Sequence, residues 1–330
     1  MIAYIIRRFL LAIVTIWAIS VASFVIIQLP PGDFVDAYIA KLSASGSVVS
    51  AEEAENLRRL YGLDRPIYVQ YGKWISRVAT GDFGESMEWM RPVTEVIGDR
   101  LWMTMVVSVA ALILTWGIAL PIGIYSAVRQ YSFGDYFFTF LGFIGLAVPN
   151  FLLALILMYL SFKFFDARVG GLFTAENELA PWSWAKLWDL VQHLPLPALI
   201  LALAGTAQLI RIMRANLLDE LRKPYVVTAR AKGLTETRVI LKYPVRAALN
   251  PFASSLAYLF PYVVSGSIIV SLVLSLPTVG PLLLTSLVAQ DMFLAGTIIL
   301  MLGVMTVIGT FVSDLVLMWI DPRIRFQADL

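Results

Sequence analysis

An all-α polytopic membrane protein, with six transmembrane helices and a small helical domain after the first of them, is the fold this sequence predicts. Three observations carry the prediction. Of the 330 residues, 59% are hydrophobic and only 15% are charged, where soluble domains carry about 25% charged residues. Six stretches long enough for the helix of about 20 apolar residues that a bilayer core demands are free of formal charge, except for Asp314 in the last. Basic residues gather in a few connectors, as cytoplasmic loops of membrane proteins require.

The first stretch, 9–29, follows Arg7 and Arg8. It exceeds the apolar core of about 7 to 15 residues found in a cleaved signal, and Pro30-Pro31 replaces a small-x-small cleavage site, so it reads as a retained span. The segment from Pro30 to Arg100 is too long for a turn and too polar for membrane. It holds eight basic residues against eleven acidic ones. Within it, "SAEEAENLRRLYGLDRP" places Ser50 as a helix cap, acidic residues in the first turn, basic residues in the last, and Gly62 at the end. This segment is expected to form an extracytoplasmic helical domain, 30–100.

The next spans are 101–128, 136–162 and 190–210. Between the third and fourth lies an outer segment whose Trp182, Trp184 and Trp188 suit a membrane interface. The uncharged run from Ala247 to Gln290 is too long for one crossing and contains Pro277 and Pro281, so the fifth span is ended near Ser275 and 276–290 reads as a loop or re-entrant segment. The last span is 292–320. With the N-terminus inside, the cytoplasmic side collects Arg7, Arg8, Arg129, nine basic residues from Arg211 to Arg246, and Arg323 and Arg325. Both termini are then cytoplasmic. The expected division is an N-terminal tail and first span (1–29), the outer domain (30–100) and a five-helix core (101–330) carrying a cytoplasmic loop at 211–246.

Several function classes lose support from composition. The chain has no cysteine, which excludes disulfides and thiolate metal sites. Its one histidine, His193 in "QHLPLPA", has no partners for a site and reads as a polar residue at the interface. No GxxxxGK[ST] phosphate loop is present. Asp314, seven residues before Asp321, lies about 10 Å from it along a helix, nearer the cytoplasmic rim than the midplane; pairing with an arginine is favoured over a proton relay. Uphill transport would therefore draw its energy from elsewhere. The chain is read as no enzyme, with no metal or cofactor of its own, with membrane lipid around it and no nucleic-acid partner.

The loop "RKPYVVTARAKGLTETRVILKYPVRAALNP" from Arg222 to Pro251 is more ordered than a solvated basic connector. Pro224 suits a first helical turn, Tyr225 to Lys232 contains no breaker, and Gly233 followed by Leu234 suits a left-handed cap with its hydrophobic contact. A helix of two turns needs a surface to lie against. Tyr225, Thr228, Ala229 and Lys232 share one face, and the small Thr228 and Ala229 permit close approach. Thr235 is placed to cap a second helix.

The stretch "RANLLDELRKPYVVTARAKGLTETRVILKYPVRAALNP" closely resembles the cytoplasmic loop of binding-protein-dependent ABC importer permeases, specifically the dipeptide/oligopeptide/nickel group. "YIIRRFLLAI", "YGLDRPIYVQY", "GDFGES", "AVPNFLLALIL" and "DPRIR" agree with it, so the resemblance covers nearly the whole chain. Importers of this class generally carry Glu-Ala-Ala, three variable residues and Gly; here Val227, Thr228 and Ala229 precede Gly233 and the glutamate is absent. The resemblance implies the type I importer permease fold in the bacterial inner membrane. It implies a second homologous permease, two ATPase subunits that bind ATP and magnesium, and an extracytoplasmic binding protein. It also implies a coupling helix, seated on an ATPase, comprising Tyr225, Thr228, Ala229, Arg230, Ala231, Lys232, Gly233 and Leu234. Arg230 and Lys232 would pair with acidic groups there.

For the solute, di- or oligopeptides come first. The tryptophan-rich outer loop is similar to members of the group that serve oligosaccharides, which stay an alternative, as does a passive channel or scaffold. The topology is testable by cysteine labelling: a cysteine at Ser47 is expected to react with an impermeant reagent from outside, and one at Thr235 only from inside. Labelling of both from one side contradicts six spans.

Overall fold

The computed structural model describes residues 2–29, 31–44, 49–165, 170–254 and 266–320. Ser47, the middle of the expected fifth span at 255–265, and Arg323 and Arg325 lie outside the described residues. The chain divides into two compact units, one of residues 2–102 with 278–307 and one of 103–277 with 308–330.

In the first unit, α1 (Ile2–Gln28) is followed by α2 (Phe34–Ala44), α3 (Ala51–Tyr61) and α4 (Ile67–Ala79). A short hairpin of β1 (Glu85–Ser86) and β2 (Arg91–Pro92) then leads into α5 (Val93–Val128). The caps of α3 are those its sequence predicts. The Ser50 hydroxyl accepts the Glu53 amide at 3.1 Å, and Gly62, at φ 70°, turns the chain so that the Leu63 amide reaches the Arg58 carbonyl at 2.8 Å.

Helix α4 lies alongside α1 and not beyond its end. Ser20 and Tyr71 share a 2.9 Å hydroxyl contact, and Phe24 sits 5.4 Å from the Tyr71 ring and 5.9 Å from that of Trp74. Ser20 is eight residues before Gln28, about 12 Å of helix, so α4 reaches back along the span that a purely polar outer domain would leave bare. The last helix, α16 (Met292–Ile320), follows α15 (Val279–Val288) and approaches α1 and α4 through small residues. A Cβ on Gly303 would stand 2.7 Å from Ile19, and one on Gly296 would stand 3.3 Å from Trp74. Such close approach is how helices associate in lipid, where apolar burial gives no drive. Asp291, fully buried, accepts from the Ser86 hydroxyl at 2.6 Å and the amides of Glu88 and Leu294 at 3.1 and 3.0 Å, which ties the hairpin to the start of α16.

In the second unit, the expected third span is two helices, α6 (Phe133–Ala147) and α7 (Asn150–Phe165), bent by 105°. Pro149 explains the break: it cannot donate to the helix, and it holds Val148 extended at φ −92°, ψ 121°. After α8 (Ala175–Glu178) and α9 (Trp184–His193), α10 (Pro195–Leu221) continues eleven residues past the expected end of the fourth span, so Arg211 and Arg214 stand on a helix. The run of α9 and α10 is itself bent by 56°. Then follow α11 (Pro224–Ala231), α12 (Glu236–Lys242), α13 (Pro244–Ser254) and a helical stretch at 266–273, α14.

Among the described residues, three helices are long and apolar enough to cross a membrane, and five if each bent pair is one span. The segment expected as a loop or re-entrant piece contains α15, whose ten residues are too few to cross. Helix α10 is the hub of its unit, packing against α6, α7, α9 and α13 and burying Leu209, Met213 and Leu217 completely. Beside Met213, Arg214 grips Asp135, 2% exposed, with Nε on Oδ1 at 3.0 Å and Nη2 on Oδ2 at 2.9 Å.

Candidate functional site: the basic loop after α10

Helix α11 is the two-turn helix the loop predicts, shifted by one residue. Pro224 stands at its first position and Lys232 takes the C-cap. Gly233 follows at φ 77°, its amide donating to the Arg230 carbonyl at 2.9 Å. Nothing lies within 4 Å of where a Gly233 Cβ would be. The backbone conformation alone thus selects glycine there.

The face toward the rest of the loop is apolar. Val226, with no exposure, and Ala229 pack against Val239 of α12, with Leu234 and Tyr243 closing the small core. Burial of Val226 and Ala229, three residues apart, leaves Tyr225, Val227, Thr228, Arg230, Ala231 and Lys232 exposed. The expected face of Tyr225, Thr228, Ala229 and Lys232 is therefore corrected at Ala229: its methyl holds α11 to α12, and the exposed apolar residue is Val227, at 59%. Thr235 occupies the N-cap position of α12, yet its hydroxyl makes no cap bond, contrary to its expected role.

Two of the loop's cations, Lys223 and Arg230, are paired with carboxylates. Glu220, at the end of α10, accepts from Lys223 Nζ at 2.7 Å and from the Tyr225 hydroxyl in a short contact. Burial and that carboxylate push the Tyr225 phenol well above its ordinary range, so it stays a neutral donor. Arg230 makes a bidentate pair with Glu236 at 3.0 and 2.6 Å, and this holds the Glu236 carboxyl below its usual range. Both partners are exposed, so the pair is worth at most about 1 kcal/mol and can be exchanged for a partner's carboxylate at little cost. Lys232 has no carboxylate within ion-pair distance among the described residues. Arg211 lies over the Phe143 ring at 5.1 Å. The result is a pair of short helices joined by a small apolar core, with basic side chains on its exposed surface.

Comparison with known proteins identifies the family. The family described as "Binding-protein-dependent transport system inner membrane component" matches residues 119–326, and its N-terminal companion matches 1–108. The chain belongs to this permease family. The oligopeptide transport system permease protein AppB of Bacillus subtilis is 37% identical over 328 residues, covering 99% of this chain and all of that protein. A protein of Brucella ovis named as a peptide permease is 34% identical over 98% of this chain and 99% of its own. The glutathione transport system permease protein GsiC of Escherichia coli K12 is 32% identical over 99% of this chain and all of its own.

Two residues that position the permease loop escaped the reading of charge alone. Asp135 carried a signal: Ser132-x-x-Asp135 before an apolar run has the pattern of a helix start, and Ser132 indeed caps Asp135. Glu220 carried none beyond its distance from Lys223.

Gly233→Val forces a β-branched residue into the left-handed region at a cost of about 1 to 2 kcal/mol. Uptake by the assembled transporter is expected to be lost while the subunit still inserts in the membrane. Gly233→Asn, which tolerates that region, and Arg129→Ala, outside the loop, are expected to keep uptake. Normal transport by the valine variant contradicts the role of the cap.

Proposed function

We infer that this chain is one of two homologous permease subunits of an ABC importer for di- and oligopeptides. It spans the inner membrane six times with both termini in the cytoplasm, and residues 30–100 form a helical domain at the outer face, with α4 lying against α1. The observation that carries this reading is the pairing of α11 and α12 into a self-supported knob at the end of α10, in a chain whose relatives across its full length are named for oligopeptide and glutathione transport. ATP and magnesium belong to two ATPase subunits, and an extracytoplasmic binding protein delivers the solute. Two juxtapositions support the topology. Gln28 at the end of α1 meets Met292 at the start of α16, as two spans ending on one side require. Asp135, between the second and third spans, meets Arg214, after the fourth.

The coupling role follows from mechanics. Val227, Thr228 and Lys232 present the knob to an ATPase cleft, with Tyr225 and Arg230 beside them. ATP binding closes the ATPase pair and displaces the knob. Because Val226 and Ala229 lock α11 to α12, and Glu220 ties Tyr225 and Lys223 to α10, the displacement passes into α10 as one body. From there Arg214 carries it to α6, and the spans rock between inward- and outward-facing states.

Oligosaccharide transport draws no support from the tryptophans. Trp182 is engaged edge-on with Phe173 at 6.1 Å, with Lys186 Nζ 5.4 Å from its ring. Trp184 and Trp188 share one exposed face of α9, as interface anchors do. Purified through a tag on this chain, the complex is expected to contain a second permease and ATPase subunits. In liposomes, its ATP hydrolysis is expected to rise when binding protein and peptide are added together. A chain that purifies alone and conducts ions without ATP contradicts the proposal, and stimulation by oligosaccharide but not peptide contradicts its substrate.

A further inference from the structure

We propose that a cavity in the unit of residues 2–102 and 278–307 binds the phosphate group of a membrane phospholipid. The cavity measures about 500 Å³. Arg59, Arg65, Lys73 and Arg77 line it, and no aspartate or glutamate does. That segregation runs against local composition, since acidic residues outnumber basic ones between Pro30 and Arg100. Like charges gathered in one cavity repel one another, and an anionic ligand relieves that repulsion.

The pairing of the four leaves room for such a ligand. Arg59 and Arg77 reach Glu55 and Asp82 only at 3.4 and 3.3 Å, on the exposed side of their helices. Arg65 and Lys73 have no carboxylate within ion-pair distance among the described residues. The Arg65 backbone is held in place, its carbonyl accepting from Gln70 Nε2 at 2.7 Å. Trp74, 2% exposed, forms part of the cavity wall.

The position of the cavity selects the source of the anion. Met292 and Phe293, the first residues of α16, form part of its wall. Gln70, another wall residue, meets Gln28, the last residue of α1, at 3.5 Å. The cavity therefore lies where two membrane helices end, which is the depth of the lipid headgroups. Tyr61, Trp74 and Phe293 add aromatic surface of the kind that lies against the glycerol region. The inference rests on the proposed reading of α1 and α16 as spans. It does not depend on which solute is carried.

The test uses the assembled transporter in uncharged detergent, titrated with dihexanoyl-phosphatidylglycerol and followed by native mass spectrometry. Arg65→Ala with Lys73→Ala is expected to weaken binding roughly thirtyfold, from two cations at the membrane surface. The charge-preserving exchange, Arg65→Lys with Lys73→Arg, is expected to retain it, which separates lost charge from lost folding. Arg91→Ala, exposed and outside the cavity, is expected to change nothing. Binding unaltered in the double alanine variant overturns the proposal. Equal displacement by inorganic phosphate also overturns it, because the site then takes a free anion. So does weakened docking of the binding protein with lipid binding intact, since the cavity then serves an acidic protein surface. Peptide uptake measured on the same preparation keeps this outcome separate from that of the importer assignment.

Discussion

Two parallel hydrogen bonds between Arg214 and Asp135 hold the lower half of α10 to the first turn of α6. The placement of the candidate coupling element depends on them. Asp135 is almost fully buried, and its other contacts are the Tyr131 amide and the Ser132 cap at the same helix start. A buried carboxylate without its cation is strongly destabilising, so the pair admits little slack. With α10 fixed at that point, only seven residues separate Arg214 from Leu221, where the helix ends and the knob begins.

The knob repeats the same logic at smaller scale. α11 alone is far below the length at which a helix persists in water. Val226 and Ala229 against Val239, together with the tie from Glu220 to Tyr225 and Lys223, make it a single body. Its outward charges sit in exposed, weak pairs or have no carboxylate partner. That is the combination a docking element needs: interior contacts too costly to break, and exterior ones easily exchanged.

Much of this was legible in the sequence because it rests on local chemistry. The Pro224 start, the Gly233 stop, the Ser50 and Gly62 caps and the apolar length of α1 and α16 are each decided within a few residues. The inward turn of Ala229 was not legible, because its side is set by Val239 and Tyr243, ten and fourteen residues on. Nor was the break of the third span: Pro149 was visible, but a proline inside an apolar run can bend a helix or end it, and packing decides which. The extension of α10 was hidden by the charge criterion, which stops a span at Arg211 while the helix itself runs on. The basic cavity joins residues near 60 and 73 to the start of α16, and no periodicity reports a contact of that range.

In the proposed mechanism, displacement of the knob reaches the spans through α10 and the Arg214–Asp135 pair. A double-mutant cycle of Arg214→Ala and Asp135→Ala in the reconstituted transporter, reading solute moved per ATP hydrolysed, tests it most directly. Each single variant is expected to lower that ratio, and the double variant to be no worse than either, because one interaction has been removed twice. Additive losses, or a ratio unchanged in all three, would contradict it.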